Sequence, residues 1–369
     1  MWDRILRFLH IRKPKPAAEG DSGLPEAPQE VVPDNNEGYI EETNTIVRLV
    51  GKKPNKVYQV TGIEDVASKN NWKAWLYLAP VIVLISVFLL YPLVNTIFIA
   101  FAKNYVYATG KFDGITLDNF GVIFGITKTG AGGLEQNFVK YAIPNTFILT
   151  FVTVPCSILL ALIISVALNS IKWFQKFLQT VFFLPYVTNA VAIGLVFSVI
   201  FDSHGIINFI TGNDGFKWIY GADRWDAMIP LCIYIVWHSL PFKILILLSG
   251  LQGVDKQYYQ AAQIDSCPKW KVLWKITVPL LSPQILYLMI TSFIAAFKEY
   301  TSVVSMFGGP GTMGRNSVIP DMETIVYYVY DNVEKGFPSR AAAAAVFLFV
   351  VILIFTFFQM KVSKKRVHY

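Results

Sequence analysis

Six apolar stretches limit what this chain can fold into. They lie at 74–101, 141–168, 177–201, 228–251, 282–306 and 341–360. An α-helix rises about 1.5 Å per residue, so roughly 20 residues cross the ~30 Å hydrocarbon layer of a bilayer. Each stretch is long enough to do so. Charge usage agrees: 15% of the 369 residues are charged, where a soluble chain carries about 25%. The expected fold is an all-α integral membrane protein with six transmembrane helices.

Prolines recur inside these stretches, at Pro80, Pro92, Pro144, Pro155, Pro185, Pro230 and Pro241. Within a membrane they kink helices or free backbone carbonyls, which suits a moving pathway. Orientation follows from Lys and Arg. With the N-terminus inside, inner segments carry 21 of them and outer loops carry 9. Both termini are therefore expected on the cytoplasmic side. The net charge of +7 gathers in loops and tails beside the spans, as topology requires, and is not read as a nucleic-acid signal.

The first 72 residues read as a cytoplasmic tail. Positions 1–13 place Trp2, Ile5, Leu6 and Leu9 among Arg4, Arg7, Arg12 and Lys13, the pattern of a short basic amphipathic helix on a membrane surface. No apolar core or small-residue cleavage site marks a cleavable signal. The Pro/Glu-rich stretch that follows is expected to be disordered, and a small local structure is expected around 46–63. Residues 73–369 form the transmembrane domain, with its core at 141–361. The three cysteines, Cys156, Cys232 and Cys267, form no CxxC or Cys/His cluster, so neither a metal site nor a disulfide framework is indicated.

One loop, 258–279 (YYQAAQIDSCPKWKVLWKITVP), is polar yet patterned, and lies between two apolar spans. Charge places it in the cytoplasm. It reads as helix, turn, helix. Tyr258, Tyr259, Ala261 and Ala262 are available to one docking face, kept thin by the alanines. Asp265 suits the N-cap of the second helix, and Pro268 suits its first turn.

The spacing Gln260-Ala261-Ala262, Ser266, nine residues, Ile276-Thr277-Val278-Pro279 resembles the "EAA" coupling loop of ABC importer permeases. Here that loop occupies 253–279. Gly250-Leu251-Gln252 and Asp265 match the carbohydrate-uptake, maltose-type branch, which depends on binding proteins. Pro144-Asn145-Thr146, Val154-Pro155, Phe183-Leu184-Pro185-Tyr186, Gly205, Asn208 and Gly308-Gly309-Pro310 follow in the family's order. Gln260 stands where the family has Glu, Ser266 where it has Gly, and Val278 where it has Leu. A glycine there would provide a turn with positive φ, which serine resists.

The resemblance implies a permease of the bacterial cytoplasmic membrane. It implies a second homologous permease, two copies of a cytoplasmic ABC ATPase, and an extracytoplasmic sugar-binding protein. Tyr258, Tyr259, Gln260, Ala261, Ala262, Asp265 and Ser266 would then couple to the ATPase. No GxxxxGK[ST] phosphate loop occurs in the sequence, so no cofactor is expected on this chain, and ATP and Mg would sit on the partner. No HExxH or GxSxG pattern suggests an enzyme.

A sugar pathway needs hydrogen-bonding groups and a stacking surface in an apolar cavity. The fourth span offers Trp237, His238, Ser239 and Phe242. The fifth offers Thr291, Ser292, Lys298, Glu299 and Tyr300. The family's sugar-contacting positions, carried through the coupling loop, fall at His238, Ser239, Phe242, Ser292, Ala295, Ala296 and Glu299. Charges in spans are functional candidates, with Glu299 foremost. Lys243 is expected to snorkel to the cytoplasmic headgroups. A cationic pocket using Lys298 or Lys243 would instead suit glycerol phosphate or another polar solute. An ion-coupled secondary transporter acting alone is the reading from a different class.

Overall fold

The computed structural model describes residues 71–128, 136–171, 175–213, 215–313 and 318–363. The amphipathic helix expected at 1–13 and the local structure expected around 46–63 lie outside the described residues. Two units divide the chain, Met1–Ala79 and Pro80–Tyr369, and both candidate sites lie in the second. Regular structure among the described residues is helical, with isolated bridges at Ala102–Ile115 and Val106–Lys111.

The helices run α1 Trp75–Phe101, α2 Asp118–Ile123, α3 Phe138–Ser170, α4 Gln175–Val187 and α5 Ala190–Ile200. They continue as α6 Ile206–Thr211, α7 Arg224–Gly253, α8 Lys256–Ile264 and α9 Lys269–Leu280. The last four are α10 Ser282–Phe297, α11 Thr301–Phe307, α12 Ile325–Glu334 and α13 Pro338–Ser363. Four of them, α1, α3, α7 and α13, are long and apolar enough to cross a membrane unaided. Six crossings result if each bent pair counts as one span: α4 with α5, turned by 96°, and α9 with α10, turned by 70°.

The third and fifth stretches therefore differ from the single spans expected at 177–201 and 282–306. The third breaks at Thr188–Asn189, where the Asn189 side chain accepts from Val191 N at 2.8 Å and Ala192 N at 3.4 Å. That is an N-cap, and it starts α5 on a new axis. The fifth ends at Phe297, not 306. Glu299 Oε1 accepts from Ser302 N at 3.0 Å and so satisfies the first turn of α11.

Three wide π turns, at Ser86–Leu90, Phe138–Ala142 and Leu273–Thr277, share one cause. Each stops two residues before a proline, namely Pro92, Pro144 or Pro279. Proline lacks an N–H and its ring crowds the carbonyl four residues back. The backbone responds by shifting its bonds to i−5, as in Tyr91 N to Ser86 O, Ile143 N to Phe138 O and Val278 N to Leu273 O. These prolines are thus absorbed as bulges within continuous helices.

α3 and α7 form the most extensive pair. Ser165 Oγ, which bonds its own helix at Ala161 O, also lies 3.2 Å from Ile244 O on α7. One apolar core gathers Ile158, Leu162, Leu247, Leu288, Phe297 and Leu348 from α3, α7, α10 and α13. A second gathers Leu231, Tyr234, Val303 and Phe307 around α11. Long apolar side chains on α1 and α13, such as Phe88, Leu89, Ile354 and Phe357, stay exposed. That pattern suits a multi-pass protein whose outer surface meets lipid.

The short motifs have structural reasons. Asn145 Nδ2 donates to Asp321 O at 3.1 Å and Glu323 O at 2.8 Å, while its Oδ1 accepts from Arg224 Nε at 2.8 Å. Thr146 Oγ1 accepts from Ile325 N at 2.9 Å. The Asn-Thr pair thus pins the start of α12 and the start of α7 onto α3. Asn208 does similar work in the loop after α5, bonding Ser203 O, Phe216 O and Trp218 Nε1. Gly205 leaves no room for a side chain, since a Cβ there would lie 2.4 Å from Ile200 O.

Candidate functional site

Two sites share α7. The first is a cavity of about 310 Å³ between α3, α4, α7 and α10. His238, Ser239, Phe242, Ser292, Ala296 and Glu299, six of the seven expected pathway residues, line it. They meet because α7 presents positions 238, 239 and 242 toward α10, whose positions 292 and 296 lie one turn apart. Trp237 is the exception. It does not line the cavity and instead packs against Phe197, with ring centroids 5.3 Å apart.

The lining residues outside that set include Thr153, Tyr186 and Lys243. Tyr186 stacks on Phe242, with centroids 6.0 Å apart and planes 18° from parallel. Together they supply an aromatic surface of the kind a sugar ring covers. The signal in the sequence is Tyr186 itself, which directly follows the Leu184-Pro185 motif.

Lys243 corrects an expectation. It does not snorkel. The residue is 5% exposed, and Nζ lies 2.6 Å from Ser157 Oγ and 2.9 Å from Ser239 Oγ. Side chains on a helix lean toward its N-terminus, which on α7 is the end away from α8. The ammonium therefore reaches back up the helix into the cavity.

The second site is the segment after α7. α8 begins three residues beyond Gly253, with Asp255 accepting from Gln257 N at 3.0 Å as its N-cap. The expected docking face divides in two. Ala262 is 5% exposed and Tyr259 half-buried, so these face the body of the protein. Tyr258, Gln260, Ala261 and Asp265 are exposed, and so is Ile264 at 84%. Ile264, missed in the sequence, is an apolar side chain held out on a polar loop. Its position three residues after Ala261 places both on one helical face.

Asp265 does not cap the second helix. It ends α8, with its own N–H on Ala261 O, and Pro268 occupies the N-cap of α9. Ser266 adopts φ +51°, so the turn expected of a glycine forms despite the serine. Its N–H bonds Gln263 O at 3.0 Å, and Cys267 N bonds Ala262 O at 2.9 Å, the pattern of a helix stop with a left-handed residue.

Comparison with known proteins fits this geometry. The family described as "binding-protein-dependent transport system inner membrane component" matches residues 154–369. The lactose transport system permease of Rhizobium radiobacter is 29% identical over 79% of this chain and 94% of its own length. The sn-glycerol-3-phosphate transport system permease of Agrobacterium fabrum is 24% identical over 83% of this chain and all of its own. Among solved structures, a chain of a bacterial ABC transporter involved in the import of the acidic polysaccharide alginate has the same fold. It superposes with a TM-score of 0.65 at 21% identity, over 83% of this chain and 99% of that one. The matched family spans more than half of the sequence, and the chain belongs to it: a transport permease of the binding-protein-dependent inner-membrane type.

Proposed function

We propose that this permease forms one half of an ATP-driven importer for a mono- or oligosaccharide. It pairs with a second homologous permease and two copies of a cytoplasmic ATPase that bind ATP and Mg. A sugar-binding protein delivers substrate to the opposite face, and both termini lie in the cytoplasm. Tyr258, Ala261, Ile264 and Asp265 dock the ATPase; Ser239, Phe242, Ser292 and Glu299 line the sugar path. The lactose-system relative supports the substrate class.

The observation that carries this reading is that α7 serves both sites. Its 30 residues run from the cavity to within three residues of α8. From Lys243 to Gly253 is roughly 15 Å of continuous helix. A displacement of α8 handed to the end of α7 through Val254 and Asp255 would carry the cavity wall with it, the kind of movement that alternating access requires. The test is uptake of radiolabelled sugars by cells carrying the whole importer, set against glycerol phosphate. Sugar uptake that needs the ATPase supports the reading; uptake of the phosphate ester and of no sugar overturns it.

A further inference from the structure

Lys243 is the one group in the cavity that a neutral sugar does not explain. Its ammonium lies within a span, buried, with three hydrogens to place. Two face Ser157 Oγ and Ser239 Oγ. Those hydroxyls have already spent their own hydrogens, Ser157 on Val154 O at 2.9 Å and Ser239 on Val236 O at 2.9 Å. Both oxygens are therefore turned toward Nζ as acceptors, an arrangement built for a donating ammonium. The third hydrogen has no acceptor among the described residues.

Among the described residues no counter-charge lies within ion-pair distance of it. The ion pair found among the described residues is Lys335 with Asp331, far along the chain. Glu299 also lines the cavity, but it lies beyond 4 Å and spends Oε1 on the first turn of α11. A buried cation is costly unless something anionic joins it. Serine hydroxyls solvate a charge without neutralising it. Lys243 lines the cavity, so an anion that enters the cavity reaches the ammonium.

We propose that the transported solute is acidic, a saccharide whose carboxylate or phosphate seats on Lys243 while its hydroxyls bond Ser292 and Glu299. This deepens the sugar-import reading and rests on it for the site. Tyr186 and Phe242 stack the ring between these two ends. Glu299 repels an anion placed at its own end, so the pair fixes the direction in which the solute lies.

Uptake by the assembled importer in proteoliposomes tests this with three labelled probes: a galacturonate disaccharide, its neutral galactose counterpart, and glycerol 3-phosphate. The expected result is a preference for an anionic probe over the neutral sugar by roughly tenfold or more. Lys243→Met should remove that preference, and Lys243→Arg should keep it. If Lys243→Met fails to insert, the wild-type preference and the Lys243→Arg variant still decide. Preference for the neutral disaccharide, or an anion preference that survives Lys243→Met, overturns the proposal while sugar import stands. Uptake of glycerol 3-phosphate alone supports the anion contact and removes the sugar reading. Uptake of none of the three overturns both.

Discussion

The Tyr259 hydroxyl lies 3.4 Å from Thr277 Oγ1, which in turn lies 3.4 Å from Val272 O. These contacts close α8 onto α9, and Ala262 sits beneath them, buried. The loop is therefore a folded unit with an inner and an outer face. The two adjacent alanines of the motif belong to different faces and should fail differently. Ala261→Asp is expected to leave the permease in the membrane at its normal level and to abolish co-purification with the ATPase. Ala262→Asp is expected to lower the amount of folded protein, because a carboxylate would replace a buried methyl group. Quantitative blotting of membranes beside affinity capture of the ATPase separates the two.

Ser266 holds a left-handed backbone conformation that suits glycine. An L-residue there carries strain of about 1 kcal/mol. Ser266→Gly is expected to raise thermal stability in detergent, measured by the melting of the purified permease. The gain will be small because glycine also frees the unfolded chain. A fall in stability would show that the serine hydroxyl contributes more than the turn costs.

The spans were legible where apolar runs were uninterrupted, as in α1, α3, α7 and α13. The broken ones were not, for reasons seated in single residues. Asn189 is a strong N-cap inside an apolar run, and hydropathy averages over it. The adjacent Lys298 and Glu299 mark a helix end that the apolar residues on both sides disguise as one long span. The cavity was legible through the periodicity of α7 and α10. Lys243 departs from its expected place at the headgroups because its side chain leans toward the N-terminus of α7, which carries the ammonium into the cavity. Ala262 is buried rather than on the docking face, and nothing in the sequence says which way so short a helix turns.

Asn145 uses both ends of its amide to join three segments. Asn145→Ala strands two backbone carbonyls and one arginine donor. The expected loss is about 1–3 kcal/mol, seen as a lower melting temperature and faster proteolysis of the loop before α12. Docking of the ATPase, which involves the opposite end of α7, should survive.

Gly194 crosses Ser305 so closely that a Cβ would lie 1.9 Å from Ser305 Oγ and 2.3 Å from its Cβ. Gly194→Ala is expected to destabilise the contact of α5 with α11 by about 1–3 kcal/mol, the usual cost of overpacking. Adding Ser305→Gly should restore part of the loss. A double-mutant cycle on melting temperature reads this coupling directly; additive effects would mean that the two helices part without cost.

The central claim is that an exposed face on α8 drives changes in a cavity at the middle of α7. ATP-driven uptake of labelled sugar by the assembled importer, wild type against Ala261→Asp, tests it most directly. Wild type should accumulate sugar only with ATP and the binding protein present, and Ala261→Asp should fall to background while remaining folded in the membrane. Undiminished, ATP-driven uptake by Ala261→Asp would contradict the claim.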